Sequence, residues 1–253
     1  MLSRLLVSVG QLVLPVHCAA CGAAAPTDRR WPLCDVCGRE MADLIAAPYC
    51  PLCGRRAGPH TVGPDGCFFC RKYPVRFSAA VRVGPYEGPL KTLILRCKDE
   101  RRVAIAERLL GRLLRERLAL APWADQVDRI VPVPLHWTRR IGRGFNQAGL
   151  LAWEVAGAAP KAKGISARLL RRTRPTPHQT SLPSAQRQKN VRGAFAARAA
   201  NDALKGKGVL LVDDVMTSGT TIGECARVLK GAGARDVYVA VVATADYDEV
   251  GPW

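Results

Sequence analysis

VLLVDDVMTSGTT, residues 209–221, joins four apolar residues, two acids, two more apolar residues and a hydroxyl-rich run around a glycine. Gly208 to Val212 reads as a short, fully buried strand that stops at Asp213 and Asp214. Val215 and Met216 lead into Thr217, Ser218, Gly219, Thr220 and Thr221, ahead of a helix expected from Thr221 to Ala232. Small and hydroxyl residues at a helix N-terminus expose backbone N–H groups at its positive end, which suits a phosphate. Carboxylates at the carboxyl end of a parallel strand stand where open α/β sheets place their ligands, and they accept hydrogen bonds from sugar hydroxyls. Together these features describe a site for a phosphorylated sugar. The blander reading is an acidic turn capping a helix. No GxxxxGK[ST] is present and no GxGxxG follows a strand, so neither common nucleotide fingerprint applies.

Outward from this stretch, Asp236 to Thr244 is a second apolar strand, completing a strand, helix, strand unit. Upstream, residues 78–86 (SAAVRVGPY) read as a strand followed by a Glu87-Gly88-Pro89 turn. Leu90, Leu93 and Ile94 mark a helix, and Ile105, Leu109 and Leu113 mark a longer one from Val103 to Leu118. Arg129 to Leu135 reads as a short buried strand entering a loop, residues 145–156 as helix, and residues 160–192 lack sustained periodicity. Apolar strands joined by short helical crossovers predict an α/β fold with a mainly parallel sheet flanked by helices.

Eight of the ten cysteines precede residue 71, in the pairs Cys18/Cys21, Cys34/Cys37, Cys50/Cys53 and Cys67/Cys70, spaced by 12, 12 and 13 residues. Two residues between ligands let a tight turn aim both sulfurs at one tetrahedral ion, and Gly22, Gly38 and Gly54 supply relaxed backbone. The expectation is two structural zinc sites of four thiolates each, closed to water and hydrolytic chemistry. A disulfide framework or a redox pair is the competing reading, which four evenly repeated pairs exceed. Consecutive pairs sharing an ion is the simpler arrangement; a crossed one stays open. The cysteine asymmetry divides the chain into residues 1–76, an amphipathic helix and double ribbon, and residues 77–253, the α/β domain.

The 38 Lys and Arg against 21 Asp and Glu give a formal charge of +17, and two zinc ions on eight thiolates would leave about +13. An anionic partner is implied, nucleic acid or a polyphosphate. Residues 139–192 alone carry twelve Lys and Arg with Glu154 as the single acid. The N-terminal apolar run is interrupted by Gln11 and Pro15, lacks a small-x-small cleavage site, and places Leu2, Leu5, Leu6, Val9, Leu12 and Val13 on one helical face. No segment has the length of a membrane span, and cysteine pairs at metal spacing suit a reducing compartment, so a cytoplasmic protein is expected.

All thirteen positions of VLLVDDVMTSGTT match the phosphoribosyl diphosphate signature of type I phosphoribosyltransferases. With YEGPLKTLILRCKDE (86–100), VPVPLHWTRRIGRGFNQAGLLA (131–152) and RRTRPTPHQTSLPSAQRQKNVRGAF (171–195), nearly the whole chain resembles the ComF family, competence-associated phosphoribosyltransferase-like proteins with an amino-terminal double zinc ribbon. The resemblance implies a type I phosphoribosyltransferase fold behind a small zinc-ribbon domain. It implies that Asp213 and Asp214 contact ribose hydroxyls, directly or through water and magnesium, that Thr217 to Thr221 wrap the 5-phosphate, and that Val215 and Met216 belong to the same binding stretch. Trp137, Arg139 and Arg140 would hold pyrophosphate. Arg171, Arg172, Gln179, Arg187 and Asn190 lie in a segment suited to cover the site. Transfer of phosphoribose to an acceptor would follow, through an oxocarbenium-like state stabilised by magnesium and arginines. The acceptor is unidentified, since no aromatic and polar cluster marks a base pocket. The alternative is a non-catalytic accessory protein whose ribbons and basic loops grip single-stranded DNA, or a DNA-processing protein, in transformation or recombination. Cys97 and Cys225 read as packing residues, and His136 and His178 as loop histidines beside the basic segments.

Overall fold

The computed structural model describes residues 16–26, 31–58, 60–73, 75–97, 103–135, 145–174, 191–198 and 203–245. Four parallel strands form the central sheet: β3 (Ala79–Pro85), β4 (Arg129–Pro132), β7 (Gly208–Met216) and β8 (Asp236–Thr244), in the order β3-β8-β7-β4. β7 and β8 lie in the middle and are buried on both faces. Leu210 and Val212 join one core with Tyr238, Ala240 and Val242, while Val209 and Leu211 join another with Val237, Val239 and Val241. That alternation is the period of two expected of a strand with no solvent face.

On one face pack α3 (Gly88–Arg96), α4 (Val103–Ala119) and α5 (Gln147–Val155), through Leu90, Leu93, Leu110, Leu114 and Leu151. On the other packs α6 (Thr220–Gly231), through Ile222, Cys225, Ala226 and Leu229. Cys225 is thus core, and burial raises its thiol well above the ordinary range. Trp123 stacks on Tyr238 at 4.5 Å, and the Tyr238 hydroxyl donates to Gln126 at 2.6 Å, closing the bottom of the first core.

The cysteine-rich segment contributes to both cores. α1 (Asp35–Ala46) sits with Cys18, Cys37 and Met41 on the α3/α4 face, and Leu44 approaches so closely that a Cβ on Gly84 of β3 would stand 2.9 Å from its carbonyl oxygen. A small hairpin of β1 (Val62–Gly63) and β2 (Gly66–Cys67), followed by the short helix α2 (Phe68–Lys72), belongs to the α6 face with Cys50, Cys53, Cys67 and Cys70. Each half of the segment covers one face of one sheet.

One expectation from the sequence needs correction. β7 does not stop at Val212: its pairing with β8 runs on to Met216 opposite Thr244, so both aspartates lie inside the strand. As expected, the chain from Arg129 is a short buried strand that enters a loop: β4 ends at Pro132. Residues 160–192 contain β5 (Leu170–Arg172), which pairs antiparallel with β6 (Phe195–Ala197); strands of three residues are too short to show a period. Among the described residues, no helix is long and apolar enough to cross a membrane.

Candidate functional site

Beyond Val212 the two middle strands part company with β4. The last β4 residue in register is Pro132 opposite Val212, and Val133 N–H donates to Val212 O at 2.9 Å before the chain leaves the sheet. Among the described residues, β7 therefore overhangs its neighbour from Asp213 to Met216, with no strand partner on that edge. The two carboxylates occupy that overhang, each half-exposed. Each accepts the next backbone N–H: Asp214 N–H donates to Asp213 Oδ1 at 2.9 Å, and Val215 N–H to Asp214 Oδ1 at 2.7 Å. One oxygen of each carboxylate is thereby oriented.

The chain then turns through Thr217 and Ser218 into α6. Gly219, the residue capping the helix, has φ +82°, a left-handed conformation costly to any side chain. Ser218 and Thr220 are buried, their hydroxyls 2.9 Å apart, and Thr220 N–H donates to Ser218 Oγ at 3.4 Å. Thr217 to Gly219 thus form one compact turn between β7 and the positive end of a helix of 12 residues. Val215 packs on the α3/α4 core and Met216 on the α6 core.

The helix after β4, α5, lies on one face of the sheet, and the helix after β7, α6, on the other. Adjacent strands whose chains leave toward opposite faces open a crevice at their carboxyl ends, where open α/β sheets bind ligands. Residues on both rims are anchored: Asn146 Nδ2 donates to Val133 O at 3.2 Å, so the chain departing β4 and the chain entering α5 meet beside Asp213. Trp137, Arg139 and Arg140, assigned to pyrophosphate, fall between these points and lie outside the described residues, as do Gln179, Arg187 and Asn190.

Arg171 and Arg172 are on β5, whose partner β6 leans on α6. Arg172 lies 5.3 Å from the Phe195 ring centroid and is half-buried; Arg171 is exposed. The hairpin stem is tied down by Thr173 N–H donating to Ala194 O at 2.8 Å and by Gly193 N–H donating to Glu224 Oε1 at 2.8 Å. Glu224, buried on α6, also receives two bonds from Arg227 at 2.9 and 2.7 Å. The Arg227 guanidinium holds its carboxyl below the usual carboxylate range despite burial.

The sequence reading missed the wall behind the turn. Gly54 O accepts from the Thr244 hydroxyl at 3.0 Å, and Thr244 in turn receives a bond from the fully buried Arg82. Arg55 Nη2 donates to Ser218 O at 3.5 Å. These contacts bridge 162 to 190 positions of chain, and no local signal announces them.

The cysteines form two groups, Cys18/Cys21/Cys34/Cys37 and Cys50/Cys53/Cys67/Cys70, each with its four sulfurs within 4.8 Å of one another. Consecutive pairs share a cluster, and the crossed alternative is excluded. Cys21 and Cys34 sulfurs are 3.6 Å apart, Cys53 and Cys67 3.7 Å, Cys50 and Cys70 3.8 Å. Four sulfurs about 2.3 Å from one tetrahedral ion stand about 3.8 Å from each other, whereas a disulfide would bring two to about 2.05 Å. The donor set therefore fits zinc. In the first cluster burial opposes ionisation of Cys18, yet surrounding backbone N–H groups bring it to about 6, while burial and its neighbours push Cys37 up. In the second, hydrogen bonds from Cys53 and Cys70 hold Cys50 far below its ordinary value, and the Cys50 sulfur pushes Cys70 up to about 12.

The Phosphoribosyl transferase domain family matches residues 157–250. DNA utilization protein YhgH of Salmonella typhimurium is 34% identical over 216 residues, 83% of this chain and 88% of its own. Competence protein F of Haemophilus influenzae is 32% identical over 178 residues, 68% of this chain and 76% of its own. Among solved structures, the glutamine phosphoribosylpyrophosphate amidotransferase of B. subtilis, complexed with ADP and GMP, is 25% identical across 53% of this chain and 25% of that one, with a TM-score of 0.34.

Proposed function

The chain belongs to the ComF family, a phosphoribosyltransferase fold behind two four-cysteine clusters, and from that premise we propose that it binds phosphoribosyl diphosphate with magnesium in the crevice between β4 and β7. The observation that carries this reading is the β7 overhang: two carboxylates pre-oriented by backbone N–H groups, with a left-handed glycine at the start of α6 five residues after Asp214.

In this reading the turn from Thr217 to Thr221 holds the 5-phosphate with backbone N–H and hydroxyl donors. Asp213 and Asp214 accept from the ribose 2- and 3-hydroxyls. Trp137, Arg139 and Arg140, which follow β4 in the chain, take the diphosphate; Arg171 and Arg172 add charge from β5, and Arg187 is assigned with them. Magnesium, bound with the substrate, supplies positive charge to the departing group. Transfer breaks the bond from C1 to the diphosphate oxygen, which leaves with the electron pair, and forms a bond from C1 to a nucleophile. Fixed cations and donors favour this by meeting charge where it develops. Zinc in the two clusters serves as scaffold.

Calorimetric titration with phosphoribosyl diphosphate and magnesium tests the reading. Wild type should bind, and Asp213→Asn combined with Asp214→Asn should weaken binding at least about 100-fold, as expected for two lost charge-assisted contacts. Wild type without binding heat sinks it.

A second reading, a grip on single-stranded DNA, is favoured by the +17 charge and by Phe68, 69% exposed beside the exposed Arg71 and Lys72. An aromatic face flanked by cations is a stacking platform for bases. Affinity for an oligonucleotide should then fall steeply with salt, and Phe68→Ala should weaken it without changing the slope. A flat salt response counts against it.

A further inference from the structure

Behind the phosphate turn stands the second cysteine cluster. Its first knuckle is a tight turn, with Gly54 N–H donating to Cys50 O at 2.7 Å and Cys50 N–H to Arg55 O at 2.8 Å. The knuckle is docked on three strands. Ala80 N–H of β3 donates to Pro51 O at 2.8 Å, Thr244 of β8 donates to Gly54 O, and a Cβ on Gly54 would stand 3.2 Å from Met216 Cε of β7. Arg55 follows. It is 7% exposed, and its guanidinium lies 4.0 Å from the Phe69 ring centroid. Phe69 sits between Cys67 and Cys70, the second knuckle of the same cluster. One knuckle therefore supplies the arginine and the other the shelf on which it lies, so the cluster fixes the plane of the guanidinium.

We propose that Arg55 is the positioning residue of the phosphate turn, and that the second cysteine cluster acts on the site through it. The contact falls on the peptide joining Ser218 to Gly219. In a trans peptide the carbonyl and the N–H point to opposite sides, and no cis peptide occurs among the described residues. Holding Ser218 O toward Arg55 turns the Gly219 N–H away from it, to the side opposite the cluster. The left-handed φ of Gly219 is what lets that plane join α6. Arg55 also keeps a cation behind the turn, which favours an anion in front of it. Lysine has neither the planar fork nor the stacking face that fix this geometry.

The inference rests on the reading of residues 217–221 as a phosphate site, and its test separates the two. Amide exchange, followed by NMR on the zinc-loaded protein without ligand, reads the turn directly. Arg55→Ala should speed exchange at Gly219, Thr220 and Thr221 by about tenfold or more, leave Leu210 to Val212 unchanged, and be only partly restored by Arg55→Lys. Phe69→Leu, which removes the shelf and keeps the arginine, should give an intermediate rise and serves if Arg55→Ala fails to fold. A folded variant with wild-type exchange at all three amides overturns the proposal. In calorimetry, Arg55→Ala should weaken phosphoribosyl diphosphate about tenfold. Wild type that does not bind defeats the proposed function and leaves the exchange result to judge Arg55.

Discussion

The two cysteine clusters are built from the same repeat and end in different work. Each has two CxxC pairs, and the first pair of each is followed by a left-handed glycine, Gly22 with φ +84° and Gly54 with φ +74°. The first cluster is partly open, with Cys21 exposed, and it meets the helical layer: Arg96 of α3 donates to Ala19 O at 2.6 Å, and α1 packs beside β3. The second is wholly buried and meets β3 near its amino end, at Ala80, and the last residues of β7 and β8, Met216 and Thr244, where the turn into α6 begins. A Cβ on Gly22 would touch nothing within 4 Å, whereas one on Gly54 would press on Met216 and Thr244. A repeated motif thus keeps its four-sulfur donor set while its surroundings decide whether it is a cover or a back wall.

The widest gap between the clusters should come from removing a ligand. Cys53→Ser should lose one zinc equivalent and lower the melting temperature by about 10 °C or more, because the vacated cluster is core to the α6 face. Cys21→Ser should cost less than half of that. Zinc content and a thermal melt check both, and equal losses would erase the distinction.

Next comes stepwise zinc removal by a chelator. The open first cluster should surrender its ion first, with amide exchange at Gly219 to Thr221 unchanged; loss of the second ion should then raise it. Differential alkylation of the cysteines identifies which cluster has emptied.

Gly54→Ala should cost about 2–4 kcal/mol in urea unfolding, a left-handed residue of about 1–2 kcal/mol plus overpacking against β7 and β8. Gly22→Ala should cost only the first of these. The difference between them measures the docking of the second knuckle without touching a ligand.

The smallest effect concerns acid. Arg227, with Arg76 from the tail of the second cluster 3.9 Å away, keeps Glu224 ionised below the ordinary carboxylate value. A depressed carboxyl contributes stability above its unfolded pKa of about 4.3 and loses it as pH falls through the folded value. Wild type should therefore lose stability more steeply than Glu224→Gln below about pH 4.3, a difference on the order of 1 kcal/mol in pH-dependent unfolding.

Local features were legible and distant ones were not. β7, α6 and β8 could be read because a run of apolar residues, two acids and a glycine all lie within about one strand and one turn. The overhang was invisible, since Asp213 to Met216 are drawn into the strand by β8 partners that no local pattern names. Cysteine spacing announced eight ligands, but pairing depends on how residues 38–49 cross from one face of the sheet to the other, carried by α1. Arg55 looked like one more cation in a basic chain. Only the fold brings it to Ser218, and its identity as an arginine matters only because Phe69 is there to hold it flat.

Site-resolved amide protection on adding phosphoribosyl diphosphate and magnesium to the wild-type, zinc-loaded protein tests the central claim most directly. Amides from Thr217 to Ile222 should gain protection while those of Cys18 to Cys37 do not change. Protection confined to the basic segments outside this turn, or none at all, would contradict the account.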